Sequence, residues 1–258
     1  QKRHLARFLR SRLRDQFARH GLSPGELRKL EHTFDPEVLT IGFARRFATF
    51  ERAGLLFSDL HRLRNLVGDS ARPLQIIFAG KAHPADKAGQ ELIQHIFQLS
   101  QSEALKGKVF FVEDYDMRVG RMFVQGVDVW LNTPRRPLEA SGTSGMKAAM
   151  NGALNCSIAD GWWPEARDGE NGWSIGNGRD YEDQALQDEL EKQGSVLSAE
   201  AREKKQTEIV RKTRERQAFL EDGQAEIAEL RETIANAGMP EEAEKQALKE
   251  LARLERTP

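Results

Sequence analysis

The order of hydrophobic and polar positions changes character along the chain. In the opening QKRHLARFLRSRLR, Leu5, Phe8, Leu9 and Leu13 recur at helical spacing, which predicts an amphipathic helix with a basic outer face. From residue 74 onward, short apolar runs alternate with helical patterns. Leu74–Ala79 predicts a strand that ends at Gly80. Lys87–Leu99, with Leu92, Ile93, Ile96 and Phe97 on one face, predicts a helix. Val109–Val112 predicts the next strand, Val119–Val124 a short helix and Val127–Leu131 a further strand. A helix is expected to start at Lys147–Asn151, and another strand at Leu154–Ile158. Strand and helix in alternation imply an α/β fold, a parallel sheet with helices on both faces. Such sheets gather their functional loops at the C-terminal ends of the strands.

Composition shifts near residue 184. The 74 residues that follow contain one aromatic, Phe219, among dense Glu, Lys, Arg and Gln. They read as long helix, with Leu220, Ile227, Leu230, Ile234 and Ala237 at coiled-coil spacing. Gly238 suits a helix stop, and Pro240 followed by Glu241 and Glu242 suits a new start. The expected organisation is therefore N-terminal helices over 1–33, a sheet domain over 34–184, a charged helix or coiled coil over 185–237 and a short helix over 238–258.

The net charge of −1 gives no bulk attraction to nucleic acid or to an anionic membrane. The basic face of the first helix is either a solvated surface or a contact for a membrane or an acidic partner. No apolar run reaches the roughly 18 residues that a membrane span needs. The single cysteine, Cys156, rules out an internal disulfide, which agrees with a reducing cytoplasm. No spacing of histidine, cysteine or carboxylate residues suggests a metal site.

The richest loop follows the strand at 127–131. Asn132-Thr-Pro-Arg-Arg-Pro resists helix and central strand, and it leads into Leu138-Glu-Ala-Ser-Gly-Thr-Ser-Gly-Met-Lys147. Glycines and hydroxyl residues just before a helix can cradle a phosphate, because the first helical N–H groups lack partners. The phosphate loop of nucleotide-binding ATPases and the dinucleotide GxGxxG pattern are both absent. The residues alone give an anion near a helix start with a lysine one turn in, or a Gly-rich turn with a surface lysine.

Glu139-Ala-Ser-Gly-Thr-Ser-Gly-Met-Lys-Ala-Ala-Met-Asn151 resembles, at every defined position, the pyridoxal-phosphate attachment signature of the alpha-glucan phosphorylases. Ile41-Gly-Phe-Ala-Arg-Arg-Phe-Ala-Thr49, Phe78–Asp86, Glu113–Met117, Gly126–Pro137, Asp160-Gly-Trp-Trp163 and Asn171-Gly-Trp173 resemble the compact bacterial branch of that family. The resemblance covers roughly residues 1–184. It implies a Rossmann-like parallel sheet, the C-terminal domain of a GT-B type glycosyltransferase, followed here by the extended helical tail. It also implies pyridoxal phosphate as cofactor, and phosphorolysis of a terminal α-1,4-linked glucose of an alpha-glucan by inorganic phosphate, giving glucose 1-phosphate.

Carried over residue by residue, Lys147 matches the lysine that forms the Schiff base with the cofactor. Gly142 and Thr143 match positions that hold the cofactor phosphate. Arg45 and Arg46 match a basic pair beside that phosphate and the substrate phosphate. Glu139, Ser141 and Gly142 match positions that bind the hydroxyls of the terminal glucose, and Tyr115 matches a tyrosine packed near the cofactor. Glu51 departs from the pattern, since the family usually has lysine there. Either the register is offset and Arg52 substitutes, or the phosphate site is weakened. The family also places its active site between two domains, so the expectation for this chain alone is cofactor binding without turnover.

In the tail, Gln193–Arg202 and Arg216–Asp222 resemble the helical arms of Skp-type chaperones. Gly238–Ala243 and Ala247–Glu255 resemble the helical segment before the ATPase module of Lon proteases. Self-association through the tail is one implication. A helical interaction or chaperone-like protein carrying a degenerate nucleotide-fold domain is the alternative to the enzyme. His83 is either a structural residue or a neighbour of the sugar or cofactor. Trp162, Trp163 and Trp173 either stack on sugar or pack in the loops.

Overall fold

The computed structural model describes residues 1–176, 178–181, 183–185, 187 and 188. They belong to one compact unit, Gln1–Ala199. A second unit, Glu200–Pro258, lies outside the described residues, as do the expected coiled-coil seam and C-terminal helix. The described chain runs α1 (Lys2–Arg19), α2 (Pro24–Lys29), β1 (Leu39–Arg46), α3 (Leu60–Gly68), β2 (Leu74–Lys81), α4 (Lys87–Ser100) and β3 (Val109–Val112). It continues through α5 (Met117–Gly126), β4 (Val129–Asn132), α6 (Thr143–Met150), β5 (Leu154–Ile158), α7 (Trp163–Ala166) and β6 (Gly172–Ile175), with short 3-10 turns between some of them.

The six strands are all parallel, in the order β3-β2-β1-β4-β5-β6. The chain builds outward from β1 to β3, then returns to β1 and builds the other way. The switch point is therefore the β1–β4 pair, where Ile41 lies opposite Val129 and Gly42 opposite Trp130. A doubly wound sheet opens a crevice at such a point, because the loops leaving the two strands turn to opposite faces.

The apolar pattern does not predict the central strand β1, although Ile41–Thr49 carries part of the family resemblance. Its small residues hide the strand signal, and Gly42 is required by packing. A Cβ there would lie 2.6 Å from Val127 Cγ1. The helix expected to start at Lys147 begins at Thr143 instead, so the hydroxyl residues of the Gly-rich loop are already helical. The strands at Val109–Val112 and Leu154–Ile158 form with the expected bounds, and β2 extends two residues past Ala79.

Helix α1 buries Leu5, Leu9 and Leu13 at zero to one per cent exposure against the core. A Cβ on Gly126 of α5 would meet Leu5 Cβ at 2.5 Å, so the two helices approach closely. Gln16 is fully buried on the same helix. Its Nε2 donates to Phe111 O at 3.0 Å and its Oε1 accepts from Glu113 N at 3.0 Å, which completes the end of edge strand β3. At the opposite end of the sheet, Asp128 receives Lys2 Nζ at 2.6 Å and Thr40 N at 2.8 Å.

Candidate functional site

The C-terminal end of β1 delivers Arg45 and Arg46, and the C-terminal end of β4 delivers Asn132. Between these ends and the loop before α6 lies a cavity of about 360 Å³. Its walls include Arg45, Arg46, Glu51, Glu139, Ser141, Gly142 and Thr143. Residues far apart in sequence meet here because the switch point places β1 beside β4.

The Gly-rich loop is fastened by the residues that follow β5. Asp160 Oδ2 accepts the backbone N–H of Glu139 at 2.9 Å. Trp162 N donates to Ser141 O at 2.9 Å. Between them, Gly161 has φ of +58°, and a Cβ there would lie 2.6 Å from Ser141 O. The Trp162 ring then covers the glycines of the loop. A Cβ on Gly142 would sit 3.0 Å from its Cδ1, and one on Gly145 would sit 3.0 Å from its Nε1 and 2.9 Å from Asn155 Oδ1. In the sequence, Asp160-Gly-Trp-Trp is a point of resemblance whose tryptophans either stack on sugar or pack in the loops. The signal that identifies its role is the run Asp-Gly-Trp directly after a strand neighbouring the one that feeds the loop.

Gly142 caps α6 in the left-handed conformation, with φ of +86°, and supplies no side-chain cap. The first N–H groups of the helix therefore belong to cavity-lining residues and have no side-chain acceptor of the cap. Lys147 lies one turn on, on the face shared with Thr143 and Ser144, and its side chain is exposed. It stands beyond the cavity wall rather than within it.

Arg45 is the most constrained group of the site. Its guanidinium is paired with Glu51 through Nε and with Glu139 through one terminal nitrogen. The other terminal nitrogen donates to Asn132 Oδ1 and, at 3.4 Å, to Ser144 Oγ. All three members of the ion cluster are enclosed, with side-chain exposures of 8% for Arg45, 2% for Glu51 and 9% for Glu139. Burial holds the Glu51 carboxyl above its ordinary value against the opposing pull of Arg45. Arg46 is different. Its side chain is 78% exposed, its guanidinium lies over the Phe50 ring at 5.6 Å, and its Nε is 4.0 Å from Glu51.

Arg52 does not reach the cavity. Its guanidinium turns away to Thr133 O at 3.2 Å, Pro134 O at 2.9 Å and Asp188 at 3.0 Å. Glu51 itself lines the cavity. Tyr115 is half-buried, packs on the core beside Gly120 of α5 and lies outside the cavity wall. Burial and, secondarily, Asp116 raise its phenol above the usual value. His83 is exposed and accepts Ala85 N at 3.1 Å, closing the turn after β2. Trp163 is fully buried, with Nε1 donating to Ser174 Oγ at 3.0 Å.

The carbohydrate phosphorylase family profile matches residues 55–238. The chain belongs to the carbohydrate phosphorylase family. It is 49% identical over 181 residues to a glycogen phosphorylase of Aquifex aeolicus, covering 70% of this chain and 26% of that protein. It is 54% identical over 158 residues to a maltodextrin phosphorylase of Thermococcus litoralis, covering 61% of this chain and 18% of that protein. A glycogen phosphorylase of Mycobacterium tuberculosis is 48% identical over 183 residues, covering 71% and 21%. The chain thus spans about a quarter or less of the length of these curated carbohydrate phosphorylases. Among the described residues, no helix is long and apolar enough to cross a membrane. Among the same residues, no group of three or more His, Cys, Asp or Glu side chains is placed to hold a metal ion.

Proposed function

We propose that this chain is the cofactor-holding part of an alpha-glucan phosphorylase that binds pyridoxal phosphate through Lys147. The observation that carries this reading is the uncapped start of α6, which opens onto the cavity with Lys147 one turn further on the same face. A lysine amine and a set of unpaired N–H donors, separated by one helical turn, suit a ligand with an aldehyde at one end and a phosphate at the other. The approach of Trp162 to Gly142 and Gly145 supports the fit, since a side chain at either glycine would disturb the loop.

In this reading Lys147 anchors the cofactor, and the backbone at Gly142 and Thr143 holds its phosphate. Arg46, exposed at the mouth of the cavity, draws in inorganic phosphate. Glu139 and Ser141 face the position of the terminal glucose, and Asp160 keeps Glu139 in place by accepting its N–H. When bound, the cofactor would supply a phosphate group able to help a proton reach the departing glycosidic oxygen. Tyr115 supports the loop after β3 from the core side. The substrate class is an α-1,4-linked glucan together with inorganic phosphate. Arg46, Ser141 and Thr143 are exposed, so water reaches the cavity and the 258-residue polypeptide by itself is expected to bind cofactor without turnover.

The test is incubation with pyridoxal phosphate, borohydride reduction and peptide mapping. Label on the peptide containing Lys147, lost in Lys147→Ala with the circular dichroism spectrum unchanged, is the expected result. Label spread evenly over surface lysines would overturn the cofactor assignment. Phosphate-dependent release of glucose 1-phosphate from maltodextrin by the pure chain would overturn the expectation of no turnover.

A further inference from the structure

The cavity beside α6 is electrically balanced. Among its lining residues the ionisable groups are two guanidinium groups, Arg45 and Arg46, and two carboxyl groups, Glu51 and Glu139. A site built only to gather phosphate would show an excess of positive charge. Here both carboxylates close on the same guanidinium, and the third nitrogen of Arg45 is taken by Asn132 and Ser144. Both terminal nitrogens of Arg45 therefore already have protein acceptors, its Nε lies against the Glu51 carboxylate as an ion pair, and its charge is offset before any ligand arrives.

We infer that Glu51 sets the anion affinity of this cavity: its carboxylate brings the four ionised groups of the lining to zero net charge, and its protonation or removal leaves them with one net positive charge. This rests on the reading of the cavity as a phosphate site and adds to it the residue that tunes the site.

Three observations carry the inference. Glu51 is held in place by its own backbone, since Thr133 Oγ1 donates to Glu51 O at 3.0 Å, so the carboxylate is delivered to Arg45 rather than drifting there. Its side chain is 2% exposed, so solvent screens it only weakly. The groups that face it are Arg45 and Arg46 from β1 and Glu139 from the loop after β4, with no other titratable side chain among those lining the cavity. An anion entering beside Arg46 therefore meets an Arg45 whose charge is already offset by two carboxylates. Burial raises the Glu51 carboxyl, so lowering the pH moves the four ionisable groups of the lining toward a net positive charge while the guanidinium groups stay charged.

The test is calorimetric titration of the full chain with inorganic sulfate, a dianion whose own charge is constant from neutral to mildly acidic pH. Wild-type affinity is expected to rise as pH falls. Glu51→Gln is expected to bind sulfate about tenfold tighter at neutral pH and to lose most of the pH dependence. Arg46→Ala is expected to weaken sulfate in both backgrounds. Equal or weaker binding by Glu51→Gln, a flat wild-type pH profile, or binding indifferent to Arg46→Ala would each overturn the inference. Glu51 would then be no more than a brace for Arg45. If Glu51→Gln does not fold, the wild-type pH profile decides. Labelling at Lys147 in the same preparations separates the two claims. Label present with sulfate binding unaltered by Glu51→Gln sinks this inference alone, and tighter sulfate binding without label sinks the cofactor assignment alone.

Discussion

The carboxylate of Asp160, at the end of β5, accepts the backbone N–H of Glu139 at 2.9 Å and so fixes the first residue of the Gly-rich loop. Asp160 is 7% exposed, so the bond is shielded from water. Asp160→Ala is expected to lower stability by about 1–3 kcal/mol, because a shielded donor loses its acceptor. It is also expected to reduce labelling of Lys147 by pyridoxal phosphate. Urea unfolding and peptide mapping check both effects. Labelling that survives while stability falls would mean that the loop does not depend on this anchor.

Gly145 sits inside α6 with ordinary helical geometry, so alanine would normally favour the helix. Here a Cβ would lie 2.9 Å from Asn155 Oδ1 and 3.0 Å from Trp162 Nε1. Gly145→Ala is expected to cost about 1–3 kcal/mol through overpacking, despite the gain in helix propensity. Because Trp162 must move, the tryptophan emission spectrum should shift in the folded state. A stabilised variant with unchanged emission would show that Trp162 does not pack on this helix.

Gln16 spans the end of β3 with both ends of its amide. Leucine has similar bulk and keeps the apolar face of α1, but it leaves Phe111 O and Glu113 N without those partners. Gln16→Leu is expected to lose about 2–4 kcal/mol, measured by thermal or urea unfolding. A neutral result would mean that water replaces the amide there.

Glu51 gives a pH dependence of known sign. Its folded value lies above the ordinary 4.5, chiefly through burial. The folded protein thus binds the proton more tightly than the unfolded chain does. The favourable contribution is full below the unfolded value and is lost as pH rises through the folded one. Relative to Glu51→Gln, the wild type should lose stability as pH rises from about 4.5 toward neutrality. Melting curves of the two proteins across that range check the sign, and parallel curves would contradict it.

Much of the architecture was legible in local pattern. Apolar runs such as Val109–Val112 and the 3.6-residue stripe of α1 report burial of a neighbourhood, and local burial is what periodicity encodes. The Gly-rich loop before a helix was visible for the same reason, since backbone approach and an uncapped helix start are local requirements. β1 was not legible, although it is central. Gly42 and Ala44 carry little strand propensity, and the strand is held by pairing on both sides with β2 and β4.

By itself, then, the sequence determined the alternation of strand and helix, the position of the phosphate-type loop and the presence of two arginines and a contrary glutamate. Tertiary structure alone decided what those charges do. Strand order brought Arg45 within reach of Glu139, a residue 94 positions away, and the turn after β1 aimed Glu51 inward while sending Arg52 to Thr133 and Pro134. The physical reason is that charge pairing falls off over a few ångströms. Which charges come that close is set by the pairing of distant strands, and no local period in the sequence records it.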